Sequence, residues 1–122
     1  MKIVTLLAAA GLLAGAAAGP AAADTWSGAY GNTVVATYTD GRVVKIFVEP
    51  DHTYTIVPQG GGETIHGTWA DGDGKSCFTI TAPASAVGGA PACFPIKDYK
   101  VGDSFDAVDA TGTAHSMITS GR

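Results

Sequence analysis

The amino-acid sequence predicts an all-β domain in which about seven antiparallel strands form a small meander that closes into a β-barrel, with a β-sandwich as the alternative arrangement. Short runs rich in Val, Thr, Ile, Tyr and Phe recur about every ten residues, and Gly, Asp or Pro bounds each run. After residue 23, no stretch of 11 or more residues has apolar side chains at helical spacing. Helices therefore have room for at most one short turn.

Residues 1–23 have the organisation of a secretory signal peptide. Lys2 is their only charged residue, an apolar run covers residues 3–18, and three alanines at 21–23 precede Asp24. A positive start, an apolar stretch and a small-residue cleavage site in this order are typical of exported proteins. We therefore predict that residues 24–122 form the mature protein, a single β-rich domain of about 99 residues.

The charge of the mature segment argues against several classes of partner. After residue 23, six Lys and Arg oppose 11 Asp and Glu, which gives a net charge of −5. Nucleic acids and anionic membranes are bound by clusters of basic residues, so neither is an expected partner. The N-terminal apolar run is shorter than the roughly 20 residues of a membrane span, and no cysteine directly follows it to carry a lipid. The sequence thus predicts a periplasmic or secreted protein without a stable membrane anchor.

The first two strands are predicted from a hairpin signal. Two runs, 33–38 and 42–49, flank Asp40-Gly41, a pair that supplies the positive φ angles of a tight turn. Positions 44, 46 and 48 of the second run are all apolar, so they are expected to face the core. Five further strands are predicted at residues 53–57, 64–69, 76–81, 104–109 and 113–119.

Cys77 and Cys93 are the only cysteines, and we predict that they form a disulfide, because exported proteins mature in oxidising compartments. The alternative is a pair of reduced thiols that acts in redox chemistry or binds metal, but the Cys-x-x-Cys spacing of such sites is missing. Residues 82–99 contain three prolines and a run of small residues. They are predicted to form one long loop that the disulfide clips back.

This loop is the predicted binding site, because a segment held at its ends loses little entropy when it binds a partner. The ten aromatic residues of the mature chain are enough to fill a small barrel or to line an apolar cup at its end. Trp69 ends a predicted strand and is expected beside the loop as an apolar anchor. The predicted binding residues are Trp69, Pro83, Pro91, Phe94 and Tyr99.

The sequence contains no complete set of catalytic or metal-binding residues. The Asp/Gly run at 71–74 starts like a calcium loop, but Lys75 takes the place of the third oxygen ligand. His52, His66 and His115 lack a metal-ligand spacing, and no Gly-x-Ser-x-Gly motif marks a nucleophile. We therefore predict no catalytic residue, no cofactor and no metal.

These observations favour a non-enzymatic binding or interaction module, whose partner is a small apolar ligand or a protein. The alternatives are an inhibitor of a periplasmic enzyme and a small hydrolytic enzyme. A ligand-binding cup would retain a compound of low mass, whereas a protein-binding surface would not. An enzyme would bring His66, His115 and a carboxylate into one cleft.

The turn, tryptophan and cysteine positions resemble those of a group of small exported bacterial proteins of uncharacterised function. The segments that carry this resemblance are residues 28–33, 40–42, 53–55, 67–69, 73–77, 93–95, 101–103 and 121–122. The general outline is also similar to that of periplasmic lysozyme inhibitors, which are small disulfide-clipped β-barrels. Residues 85–90 only faintly match the Ser/Gly-rich loop of those inhibitors. The resemblance therefore implies a fold rather than an activity.

Export with cleavage after Ala23 leads to a direct expectation. The intact mass of protein recovered from the periplasm or the medium should correspond to a chain that begins at Asp24, because the small residues at 21–23 suit a signal peptidase. Recovery with the membrane fraction, or a mass that retains Met1, would contradict the assignment.

Overall fold

The computed structural model describes residues 25–109 and 112–122, and these form an all-β barrel. The predicted cleavage site therefore lies outside the described residues. Eight strands form one antiparallel sheet in the order β6-β5-β4-β3-β2-β1-β8-β7. The strands are β1 (Thr33–Tyr38), β2 (Val43–Val48), β3 (Thr53–Pro58), β4 (Ile65–Gly72), β5 (Lys75–Ala82), β6 (Ala92–Pro95), β7 (Ser104–Asp109) and β8 (Gly112–Thr119). The helices among the described residues are two 3-10 turns, Ser27–Ala29 and Ala84–Ala86.

The sheet curls until its two outer strands face each other. The rings of Phe94 on β6 and Phe105 on β7 lie 5.4 Å apart between centroids, at 79° to one another. The barrel is therefore nearly closed, and the sandwich alternative does not apply. Closure matters because an open sheet edge presents unpaired backbone groups to other chains.

The first hairpin forms as predicted. Thr37 pairs with Val43 across the turn, and Gly41 has the positive φ of 94° that the turn requires. Val44 and Val48 are buried whereas Lys45 between them is exposed, which confirms that the even positions of β2 face the core.

The predicted strand count of about seven is wrong, because a further strand lies inside the segment predicted to be one long loop. β6 pairs with β5, and Cys77 lies directly opposite Cys93 in that pairing. The disulfide is present as predicted, but it joins two neighbouring strands. Pro91 and Pro95 concealed β6 in the sequence, since prolines bound it on both sides and only four residues take part.

An N-terminal arm, residues 25–32, closes the end of the barrel at which β1 begins, and we call this end the floor. Trp26 is 1% exposed and stacks parallel on Tyr99, with ring centroids 4.3 Å apart. The indole Nε1 donates a hydrogen bond of 2.7 Å to the buried hydroxyl of Ser76. Phe78 and Phe94 meet the indole edge to face at 5.2 and 5.7 Å. These rings seal the floor with apolar contacts and leave the indole N–H satisfied.

Arg122 links the N-terminal arm to the end of β2 on the outside of the floor. Arg122 forms an ion pair of 2.6 Å with Glu49 and donates a second hydrogen bond to the backbone oxygen of Asn32 at 2.7 Å. Its guanidinium also lies 5.0 Å from the centre of the Phe47 ring. Phe47 alternates with the core residues of β2 and is thus a partly covered side chain on the outer wall.

Gly67 in β4 permits the closest packing inside the wall. A Cβ atom built at this position would lie 2.5 Å from a ring carbon of Tyr54, and it would also strike the backbone oxygen of Thr79. The register of β4 against β5 shifts between His66 and Gly67, as at a β-bulge. Glycine is required here by the approach of the Tyr54 ring.

We expect Gly67→Ala to lower the free energy of unfolding by about 1 to 3 kcal/mol, because the added methyl group must displace the ring or the strand. Urea denaturation measures the loss. Gly72→Ala, in the same strand and with open space around its Cβ position, is the matched control and should change stability far less. Equal losses in the two variants would contradict the packing argument.

We expect Ser76→Ala to destabilise the fold by about 1 to 3 kcal/mol, because the buried indole N–H of Trp26 would lose its acceptor. In a Trp26→Phe background, which has no such donor, the same substitution should cost clearly less. Urea denaturation of the four proteins gives this difference, and Ser104→Ala at an exposed position serves as control. Identical costs in both backgrounds would show that the hydrogen bond contributes nothing to stability.

Candidate functional site

An apolar cavity of about 350 Å³ lies inside the barrel, between the aromatic floor and the opposite end, which we call the mouth. Among the described residues, the mouth is formed by the turns at residues 39–42 and 59–64 and by the loop at residues 83–91. The cavity is lined by residues of all eight strands, by the floor and by the loop. They are Trp26, Val34, Ala36, Tyr38, Ile46, Val48, Tyr54, Ile56, Ile65, Phe78, Ile80, Ser85, Ala86, Val87, Gly89, Ala90, Ala92, Phe94, Phe105, Ala107, Ala114 and Ser116.

Alanines at inward positions leave this space unfilled. The interior of an eight-stranded barrel is just wide enough for ordinary side chains to fill. Ala36 on β1, Ala107 on β7 and Ala114 on β8 instead present single methyl groups to the cavity. Ala36 and Ala114 lie on neighbouring strands, since β1 pairs with β8. The side chains on this side of the barrel therefore project only a short way into the cavity. The aromatic rings of the floor bound the cavity at one end.

The few polar groups of the lining are neutral. Ser116 on β8 is 3% exposed and Ser85 belongs to the loop, while Tyr38 and Tyr54 contribute phenol rings. None of the described lining residues is Asp, Glu, Lys, Arg or His. The cavity thus offers dispersion contacts and occasional hydroxyl groups to a guest, without a fixed charge.

The loop at the mouth forms part of the wall. The 3-10 turn Ala84–Ala86 follows Pro83, and five of the residues from Ser85 to Ala90 contact the cavity. Val87 remains half exposed, so its side chain bridges the cavity and the solvent. The Cys77–Cys93 disulfide fixes β6 to β5 just beyond the loop. A guest that enters through the mouth must pass this loop.

A smaller cavity of about 250 Å³ adjoins the mouth. It shares Tyr38, Ile56, Ile65 and Ile80 with the main cavity. Arg42 lines it too, with its guanidinium 4.2 Å from the centre of the Tyr38 ring and 2.8 Å from an Asp40 oxygen. Charge therefore appears only outside the rim of the main cavity among the described lining residues.

The structure brings some of the predicted binding residues to this site and places others elsewhere. Phe94 lines the cavity, and Pro83 and Pro91 lie at the two ends of the mouth loop. Tyr99 lies beneath the cavity against Trp26, where its hydroxyl donates to the Pro95 carbonyl at 2.7 Å and burial raises the pKa of its phenol. Trp69 does not line the cavity.

Trp69 is buried in the wall near the floor. Its indole stacks on the His52 ring at 4.0 Å, and Nε1 donates to the Glu49 carbonyl at 3.1 Å. It is absent from the lining of the cavity, and it belongs to the same aromatic core cluster as Tyr99, against which Phe94 packs. Inward alanines were missed in the sequence because their role depends on strand register, which an Ala alone does not reveal.

The histidines are dispersed. His115 on β8 lies 2.8 Å from Asp106 on β7, and both side chains are exposed on the outer face of the barrel. His66 lies on β4, which β3, β2 and β1 separate from β8. Within residues 25–109 and 112–122, no group of three His, Cys, Asp or Glu side chains has a geometry that would hold a metal ion. In the same ranges, no helix is long and apolar enough to cross a membrane.

Comparison of the chain with protein-family models, with curated proteins and with solved structures gives no significant match.

Proposed function

We propose that this protein is an exported binding module that holds a small apolar molecule inside its barrel. The observation that carries the proposal is the cavity of about 350 Å³ with its hydrocarbon and aromatic lining. This volume lies in the range of small-molecule sites, which are mostly apolar with a few placed polar groups.

The cavity sets the size of the guest. An apolar cavity of about 150 Å³ holds benzene, so one of 350 Å³ holds a ligand of about 14 non-hydrogen atoms. A ligand of that size needs about −0.6 kcal/mol per atom for a micromolar Kd, which lies within the range of small ligands. Burial of apolar area at roughly 25 cal/mol per Å² supplies this energy without any specific charge.

The walls are suited to hold the cavity open. The stacked aromatic floor and the neighbouring Cys77–Cys93 disulfide restrain β5 and β6. A preformed site binds more tightly than one that must first be ordered. Residues 83–91, the first part of the predicted binding segment 83–99, take part in the proposal as the wall nearest the entrance.

Export is part of the proposal. The signal-peptide pattern of residues 1–23 supports it, and a disulfide is typical of proteins that mature outside the reducing cytosol. We infer a periplasmic or secreted location. Small exported bacterial proteins of the kind that this sequence resembles fit the same location.

The inhibitor and hydrolase alternatives have less support. An inhibitor needs an exposed feature that enters a partner's active site, and the mouth loop consists mainly of small residues. A hydrolase needs a converged set of reacting groups, whereas the His115–Asp106 pair lies on the outer face, away from the cavity lining. The apolar interior therefore ranks the ligand-binding module first.

A cavity-filling variant tests the proposal. 1-Aminonaphthalene, a small uncharged probe whose fluorescence changes in apolar surroundings, should bind to the mature protein, and Ala36→Phe should weaken its binding at least about tenfold by occupying the cavity. The matched control is Thr37→Phe, because the adjacent residue is exposed on the outer face of the same strand. It should bind the probe like the original protein.

Native mass spectrometry of the purified protein complements the probe experiment, since a bound natural ligand would add a few hundred daltons or less. We expect the mass of the protein with its bound ligand in the spectrum of Thr37→Phe but not in that of Ala36→Phe. Probe binding that is equal in the two variants, with both folded by circular dichroism, would place the binding site outside the cavity and contradict the proposal.

A further inference from the structure

We propose that the ligand of the barrel is an uncharged compound, a hydrocarbon-rich chain or ring with a hydroxyl or carbonyl group at most. This inference rests on the proposed function and adds the chemical class of the ligand. Apolar cavities in proteins hold acids, amines and neutral molecules alike. A cavity that binds an acid or an amine provides a counter-ion or hydrogen-bonding groups for the charge of the ligand.

The interior offers no such partner. The described lining residues include no Asp, Glu, Lys, Arg or His, and apart from the indole N–H of Trp26 the polar atoms of their side chains belong to hydroxyl groups. Moving a charge from water into apolar surroundings costs more free energy than the apolar contacts of a small ligand provide, unless a counter-ion or several hydrogen bonds stabilise the charge. A ligand that is fully enclosed must therefore be neutral.

The described residues of the mouth also lack an uncommitted cation that could bind an anionic head group. Arg42 is the only described cation on the mouth turns and loop, and it is already bonded to Asp40. The backbone N–H and the guanidinium of Arg42 both donate to that carboxylate and hold the pKa of Asp40 below its usual value, so the Asp40 carboxylate stays ionised at neutral pH. An anionic head group would have to compete with Asp40 for the guanidinium.

A cationic head group fares no better. The Asp40 carboxylate forms an ion pair with Arg42, and Glu63, the other described acidic residue of the mouth turns, is exposed. Exposed ion pairs contribute little in water. The loop at residues 83–91, which lies over the entrance, contains no charged residue of either sign.

The lining also limits how polar the ligand is. Ser116 on the wall and Ser85 on the loop provide hydroxyl groups that a single alcohol or carbonyl can meet. The remaining contacts come from aliphatic and aromatic carbon. A compound of about 14 non-hydrogen atoms with one polar group matches both the volume and this lining.

Three probes with the same hydrocarbon chain test the inference, namely decan-1-ol, decanoate and decylammonium. Calorimetric titration at pH 7 and low ionic strength, below the aggregation concentration of each probe, should show that the alcohol binds at least about tenfold more tightly than either ion. A charged probe that binds as tightly as the alcohol would overturn the inference while leaving the proposed function intact. If none of the three binds, the proposed function fails and the inference fails with it.

A charge introduced at the entrance tests the reason for the preference. Val87 lines the cavity and is 50% exposed, so Val87→Lys places an ammonium group where a head group would lie. The ratio of decanoate affinity to decan-1-ol affinity should rise about fivefold in Val87→Lys relative to Val87→Gln, a variant of similar length without the charge. An equal ratio in the two variants would show that the missing counter-ion does not set the selectivity, and it would overturn the argument from the mouth.

Discussion

The stack of Trp26 on Tyr99 holds together parts of the chain that are remote in sequence, and the rest of the barrel depends on it. Trp26 belongs to the arm before β1, Tyr99 to the connection between β6 and β7, and Ser76, which accepts the indole hydrogen bond, to β5. The Tyr99 N–H also donates to the backbone oxygen of Thr25. One pair of rings thus links the N-terminal arm to the nearly closed seam of the sheet, and it separates the interior from water at that end.

The two ends of the barrel differ in composition and therefore in what they do. Large rings fill the floor, so that little space is left around Trp26. The middle and the mouth carry alanines, isoleucines and a loop of small residues, so the strands enclose more volume than their side chains occupy. A well-packed floor stabilises the fold, and the space above it is available for a ligand without loss of that packing.

The fold was largely predictable from the sequence, whereas the site was predictable only in part. Asp40-Gly41 and the alternation in β2 predicted the first hairpin and its buried face, because turn chemistry and the two-residue period are local signals. β6 was concealed because its prolines resemble loop punctuation, and its pairing depends on the distant β5. Phe94 and the mouth loop were predicted as parts of a binding site and do border the cavity. Trp69 has the strand-end position of an anchor, but only the three-dimensional register shows that it lies near the floor.

The alanine side of the wall separates the requirements of folding from those of selectivity. Ala36, Ala107 and Ala114 line the cavity with single methyl groups, and Ala36 and Ala114 also pack in one apolar cluster with Tyr38 and Val44. Larger aliphatic side chains at these positions would shorten the cavity in steps of a few carbon atoms while the floor, the disulfide and the hairpins stay unchanged. The same backbone can therefore enclose cavities of graded length, and evolution or a protein engineer can move along that series one residue at a time.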